Sequence, residues 1–90
     1  MVNFVYIIKS ISHDTRYVGV TVNLLKRLLE HNSGKCRYTK GRIPWCIIYT
    51  EEYKTLSEAR KREIFLKSGQ GRKFLDELKN NNGDENWEIV

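Results

Sequence analysis

The chain predicts an α+β fold: a small, mainly antiparallel three-stranded sheet flanked by helices, in the order β-β-α-β-α-α. Three observations carry this expectation. Ninety residues allow one domain with one modest core. Hydrophobic types make up 40% of the chain and are spread along most of it, so enough surface can be buried to fold. Short runs rich in β-branched and aromatic residues alternate with leucine-spaced segments, leaving too few residues for parallel crossovers between every strand.

The first strand is expected over residues 2–9 (VNFVYIIK) and the second over 16–20 (RYVGV), joined by the polar loop SISHDT as a hairpin. Helix one is expected over 22–32, where Leu24, Leu25, Leu28 and Leu29 define a buried stripe, Asn23 or Thr21 caps the start and Gly34 suits the stop. Residues 35–44 (KCRYTKGRIP) read as a basic loop, and WCIIYTEEY as the third strand. Thr55 opens a T-L-S-E capping box with Glu58, so helix two runs to Ser68 or Gly69, with Ala59, Ile64 and Leu66 as apolar positions. A third helix around 71–80 packs Phe74, Leu75 and Leu78. Residues 1–80 then form one domain, and 81–90 form a polar, acidic tail in which Trp87 and Ile89 either dock or stay loose.

The net charge is +5, and its distribution is uneven. Three of the 11 acidic side chains (Asp84, Glu85, Glu88) lie in the tail, which has no Lys or Arg, so residues 1–80 set 16 basic against 8 acidic side chains, a net +8. Such a field favours a polyanion through counterion release, though it also fits a protein that is merely soluble. The two cysteines, Cys36 and Cys46, form no C-x-x-C and meet no histidine pair at zinc-finger spacing, which supports neither a disulfide scaffold nor a structural zinc site. The start MVNFVYIIKS has no basic leader, and no run approaches the roughly 20 apolar residues of a membrane span, so a cytoplasmic protein with no membrane partner is expected.

Five residues could carry chemistry, and each also has an ordinary structural explanation. Tyr6 and Tyr17 lie in the two hairpin strands and can share one face, which Gly19 leaves open for close approach; both rings also fit as plain strand aromatics. Arg27 and His31, four apart, project from one side of helix one, where an exposed cation and a solvated C-terminal histidine are the alternatives. Glu63 is surrounded by Arg60, Lys61, Arg62 and Lys67. A salt bridge to Lys67 explains it, but so does a hard metal ion contacting substrate phosphates, because magnesium often takes a single protein carboxylate and keeps its waters.

Taken in order, Tyr6, then Tyr17-Val18-Gly19, then Arg27 with His31 and Asn32, then Glu63 following Ala59 in a later helix, resemble the GIY-YIG nuclease pattern. The closest resemblance is to its compact, stand-alone UPF0213 branch, through YVGVTVNLLKRLLEHNSGK, RYTKGRIPW and EARKREIFLK, and it spans most of residues 4–68. The resemblance implies a GIY-YIG nuclease fold and a metal-dependent endonuclease that hydrolyses DNA phosphodiester bonds with low sequence specificity, in DNA repair or processing. It implies that Tyr6 and Tyr17 are the paired active-site tyrosines, Arg27 the phosphate-binding arginine, Glu63 the ligand of Mg²⁺ or Mn²⁺, and His31 a helix position that is His or Tyr in relatives. The first triplet here is Phe4-Val5-Tyr6, and Val20 and Thr21 stand where larger relatives place a lysine.

In the expected mechanism Tyr6 accepts a proton from the attacking water, Tyr17 and His31 orient or relay, Arg27 binds the scissile phosphate, and Glu63 holds the metal near the leaving group. A free phenol ionises near pH ~10, so Tyr6 needs positive charge nearby to serve as a base. For binding, Lys35, Arg37, Tyr38, Lys40 and Arg42 of the basic loop, extended by Lys61, Lys67, Arg72 and Lys73, form a nucleic-acid surface for DNA or RNA; solvated loop charge is the alternative. With no recognition domain, specificity would come from DNA shape or a protein partner. Two other readings compete: a catalytically weak or inactive DNA- or RNA-binding module of the same fold, and an interaction domain with an accidental constellation.

Overall fold

A computed structural model describes residues 2–82, the side chains of 79–82 excepted. The expected tail therefore lies largely outside the described residues, Trp87 and Ile89 with it. Three strands, β1 (Asn3–Ser10), β2 (Arg16–Thr21) and β3 (Trp45–Tyr53), form one sheet in the order β2-β1-β3, both pairings antiparallel. The β1–β2 hairpin sets Tyr6 opposite Gly19 and Ile8 opposite Tyr17, so these four side-chain positions share a face. The β1–β3 register shifts between Ile7 and Ile8.

The alternation of β1 feeds two cores, because successive side chains point to opposite faces. On one face Val5, Ile7 and Val18 pack with Ala59, Leu66 and Leu75 from helices α2 (Leu56–Lys67) and α3 (Gly69–Asn82). On the other, Tyr6, Ile8, Trp45 and Ile47 pack with Tyr17, Ile43 and the leucines 24 and 28 of α1 (Leu24–Asn32). The sheet is thus covered on both sides, α1 on one and the α2–α3 pair on the other.

The helix caps follow the sequence. Asn23 Oδ1 accepts from Lys26 N at 3.1 Å and Thr55 Oγ1 from Glu58 N at 3.2 Å; Gly34, at φ 83°, takes the left-handed conformation after α1. Two apolar stripes differ from expectation. Leu25 and Leu29 are 69% and 62% exposed, because α1 turns Leu24, Leu28 and His31 toward the sheet, and each following residue is rotated about 100° away. On α2 the inward series is Ala59, Glu63 and Leu66, so Ile64 points outward and a carboxylate takes the seat the sequence assigned to it. The third helix starts at Gly69, two residues early, with Ser68 Oγ accepting from Gly71 N at 3.2 Å. Gly71 has no side chain for a steric reason: a Cβ there would collide with the backbone of Phe65 and Leu66, where α3 turns back on α2.

The segment between α1 and β3 is pinned rather than loose. The Asn32 side chain donates to Trp45 O at 3.0 Å and accepts from Trp45 N at 2.6 Å, fastening the end of α1 to the start of β3. Ser10, fully buried, donates to Arg42 O at 2.6 Å and accepts from His13 N. No disulfide joins Cys36 and Cys46, and among the described residues no helix is long and apolar enough to cross a membrane.

Candidate active site

Four of the five candidate residues meet on the α1 face. Tyr6 comes from the central strand, Tyr17 from the edge strand, and Arg27 and His31 from α1, where their four-residue spacing turns both toward the sheet. The Tyr6 hydroxyl lies 2.9 Å from His31 Nε2 and accepts from Arg27 Nε at 3.3 Å. The three rings form a triangle: centroids are 6.4 Å apart for Tyr6 and Tyr17, 5.8 Å for Tyr6 and His31, and 5.1 Å for Tyr17 and His31, the last edge to face. Gly19 makes this possible, because the Tyr6 ring lies across its Cα, where a Cβ would stand 2.8 Å from Tyr6 Cε1 and nearer still to Cζ and Oη.

The electrostatics follow from burial. Loss of solvent pushes the Tyr6 phenol up to about 12, and the Arg27 hydrogen bond offsets only part of this. Positive charge therefore does not make Tyr6 a phenolate at neutral pH: the expected condition for a free base is reversed by desolvation. His31, fully buried, is held down to about 4, first by burial and then by the Arg27 charge, so its imidazole is neutral. Arg27 is shifted further above its ordinary range, first by the hydrogen bond to Tyr6, and it also donates to Glu30 Oε1 at 3.0 Å through Nη1.

Glu63 stands apart from this cluster. It is buried on α2, which packs on the opposite sheet face, and its two oxygens take Arg60 Nη1 and Lys67 Nζ, each at 3.1 Å. The link to the phenols runs round the β2 edge through Lys67, whose Nζ lies 5.8 Å from the Tyr17 ring centroid. Among the described residues no group of three or more His, Cys, Asp or Glu side chains could hold a metal ion. The donor set among the described residues offers no all-protein cage, and it fits an ion that takes one carboxylate and completes its shell with water and substrate oxygens.

An open cleft of about 800 Å³ adjoins Tyr17, and Lys9, Arg16, Lys67 and Arg72 line it together with Tyr38. Tyr38 is 83% exposed. Of the residues expected at a nucleic-acid surface, Tyr38, Lys67 and Arg72 reach this cleft; Lys35, Arg37, Lys40, Arg42, Lys61 and Lys73 are exposed elsewhere. Lys9 and Arg16 were not expected there. Their signal was available in the hairpin, since both flank the loop beside Tyr17, with Arg16 bonded to Asp76 of α3 at 3.0 Å. Thr39 was also missed: it is buried, its Oγ1 lies 2.8 Å from His31 Nδ1, and its carbonyl accepts from Trp45 Nε1 at 2.9 Å. Behind α2, Arg62 grips Glu51 with Nε and Nη2 at 2.8 and 3.0 Å while Tyr49 and Tyr53 donate to the same carboxylate, and nothing in the sequence pattern joined these four.

Comparison with known proteins matches the chain to a family. Residues 2–75 match the model of the GIY-YIG catalytic domain. A UPF0213 protein of Syntrophus aciditrophicus is 43% identical over 81 residues, covering 88% of this chain and 92% of that protein. A UPF0213 protein of Listeria monocytogenes is 42% identical over 66 residues, covering 72% of each. The solution NMR structure of a UPF0213 protein from Bacillus halodurans superposes with a TM-score of 0.56 at 29% identity, covering all of both chains.

Proposed function

The chain belongs to the GIY-YIG catalytic domain family, and from that premise we propose that it is a divalent-metal-dependent endonuclease that hydrolyses DNA phosphodiester bonds with little sequence preference. The observation that carries this reading is the Tyr6–His31–Arg27 cluster, a proton path beside a fixed cation, with Tyr17, packed against His31, lining a cleft that also holds Lys9, Arg16, Lys67 and Arg72.

Hydrolysis needs a base for the attacking water, a cation for the nonbridging oxygens, and help for the leaving oxygen. A Tyr6 phenol pushed up to about 12 cannot wait as a phenolate, but it can pass its proton to the neutral His31 Nε2, 2.9 Å away, as it takes one from water. No free phenolate is then required. Tyr17 packs its ring edge-on to His31 and faces the cleft, where it orients the incoming strand. Arg27 holds the scissile phosphate, with Glu30 and Tyr6 steadying its guanidinium. Glu63 would hold Mg²⁺ or Mn²⁺ in exchange for the Arg60 and Lys67 contacts, which supplies a Lewis acid for the departing oxygen. Lys9, Lys67 and Arg72 attract the phosphate backbone along the cleft without reading bases.

The test is cleavage of plasmid, single-stranded and branched DNA with either metal, comparing wild type with Glu63→Ala. Metal-dependent cleavage by the wild type alone is expected; equal activity in both would rule out the assigned site. One observation favours the second reading, a nucleic-acid-binding module without catalysis: both Glu63 oxygens already pair with cations, away from the phenols. Salt-sensitive DNA binding with no cleavage in either metal would establish it.

A further inference from the structure

We infer that Tyr38 is a stacking platform for an unpaired base, which makes single-stranded or branched DNA, rather than continuous duplex, the substrate class of the cleft beside it. The inference deepens the proposed nuclease reading and rests on it for its catalytic consequence, while the binding it describes needs neither metal nor cleavage.

The ring is set apart from the others by its exposure. Tyr38 is 83% exposed, whereas every other aromatic side chain among the described residues is buried or half-buried. It belongs to neither core. The backbone that carries it is nonetheless anchored: Thr39 is buried, its carbonyl accepts from Trp45 Nε1 at 2.9 Å, and the amides of Thr39 and Lys40 both donate to Cys36 O, at 3.2 and 3.0 Å. A solvent-facing ring on a fixed backbone can meet a flat partner without first ordering a loop, which removes part of the cost of binding.

The cleft supplies the rest of a strand-binding surface. Tyr38 lines it together with Tyr17, Lys9, Lys67 and Arg72. Two acids line it as well, Asp14 and Asp76, the second tied to Arg16 at 3.0 Å. Lys67 pairs with Glu63, whereas Lys9 and Arg72 meet no carboxylate among the described residues and are open to phosphate oxygens. Phosphates are displayed by single-stranded and duplex DNA alike, so the cations do not choose between them. The ring does. In a duplex each base is covered above and below by its neighbours in the stack, and a protein ring reaches its face only where the base has left the stack or the strand ends. Every base has such a face, so stacking here agrees with a site that reads no sequence. Both rings of the cleft also connect to the Tyr6–His31–Arg27 cluster through His31: Tyr17 packs on the imidazole, and Thr39, the neighbour of Tyr38, places Oγ1 2.8 Å from its Nδ1.

The experiment is fluorescence anisotropy of labelled single-stranded and duplex oligonucleotides of equal length, in EDTA and over a salt series, with wild type, Tyr38→Ala, Tyr38→Phe and Tyr38→Trp. Tyr38→Ala should weaken single-strand binding by about 5-fold to 150-fold, the loss that removing one base stack brings, and leave duplex binding as it was. The slope of log affinity against log salt should not change, because no phosphate contact is lost. Tyr38→Phe and Tyr38→Trp should bind at least as well as the wild type, since the face of the ring and not its hydroxyl makes the contact. The ring lies outside both cores, so all three variants should melt with the wild type, which keeps a lost fold from imitating a lost stack. Equal loss on both forms of DNA, or no loss on either, would overturn the inference. In cleavage assays the wild type should cut single-stranded or branched DNA faster than duplex, and Tyr38→Ala should lose that preference. Selective loss of single-strand binding, in a protein that cuts no DNA with either metal, would uphold the role of Tyr38 and reject the nuclease reading. Glu63-dependent cleavage with the same preference in wild type and Tyr38→Ala would do the reverse.

Discussion

Replacing Gly19 by Ala puts the packing of the site under direct test. The added Cβ would stand 2.8 Å from Tyr6 Cε1 and closer to the atoms beyond it. Carbon atoms rest about 3.5–4.0 Å apart, so the ring must retreat on the order of 1 Å. Tyr6 has no room to do so: it is 2% exposed, and its hydroxyl is held at 2.9 Å from His31. Overpacking of this kind costs roughly 1–3 kcal/mol, and the smaller entropy loss of alanine in a strand offsets about 0.5–1 kcal/mol of it, leaving about 1–2 kcal/mol. In a domain of this size each kcal/mol lowers Tm by about 4–8 °C. The measurement is thermal unfolding by circular dichroism beside DNA cleavage at a temperature where both proteins are folded. Activity should fall more steeply than stability, because the ring that moves is the one proposed to handle the proton. An alanine variant that melts at or above the wild type and cuts at the same rate would refute this account of the site.

Other perturbations give distinct signatures. His31 is held down to about 4 by burial and the Arg27 charge, so the unfolded chain binds its proton first; stability should be constant above the unfolded value of about 6.5 and fall by about 3 kcal/mol between there and pH ~4, a slope that urea titrations should find missing in His31→Gln. Lys67→Ala or Arg72→Ala should each weaken DNA binding evenly across sequences and reduce the slope of log affinity against log salt by about 1 in fluorescence anisotropy, whereas an unchanged slope would remove the residue from the binding surface. Arg62→Met strips Glu51 of its cation while burial still pushes that carboxylate upward, and should cost about 2 kcal/mol in urea unfolding; a value near zero would show that the two tyrosine hydroxyls suffice.

Much of this molecule is legible in one dimension. The hairpin, both helix caps and the shared face of Tyr6 and Tyr17 follow from alternation and cap chemistry, which act over a few residues. Which side of α1 faces inward was not legible in the same way. Leu24, Leu25, Leu28 and Leu29 offer two overlapping stripes, and the choice between them is made by His31, whose burial depends on a threonine and a tyrosine from elsewhere in the chain. The same holds for Ile64 and Glu63 on α2, where the carboxylate goes inward because Arg60 and Lys67 reach it from the rim. Thr39 and the Glu51–Arg62 pair escaped notice because each matters through a partner 8 or 11 residues away, a separation that no local period marks.

The two phenols ride on strands of unequal standing. Tyr6 belongs to β1, which is bonded along both sides, while Tyr17 belongs to β2, which among the described residues is bonded along one. Amide exchange should consequently be slowest beneath the first ring and faster beneath the second. A nucleic acid settling, as proposed, beside β2 would tug Tyr17 toward itself and leave Tyr6 where it was, so that adaptability and rigidity would be supplied by neighbouring rungs of one ladder.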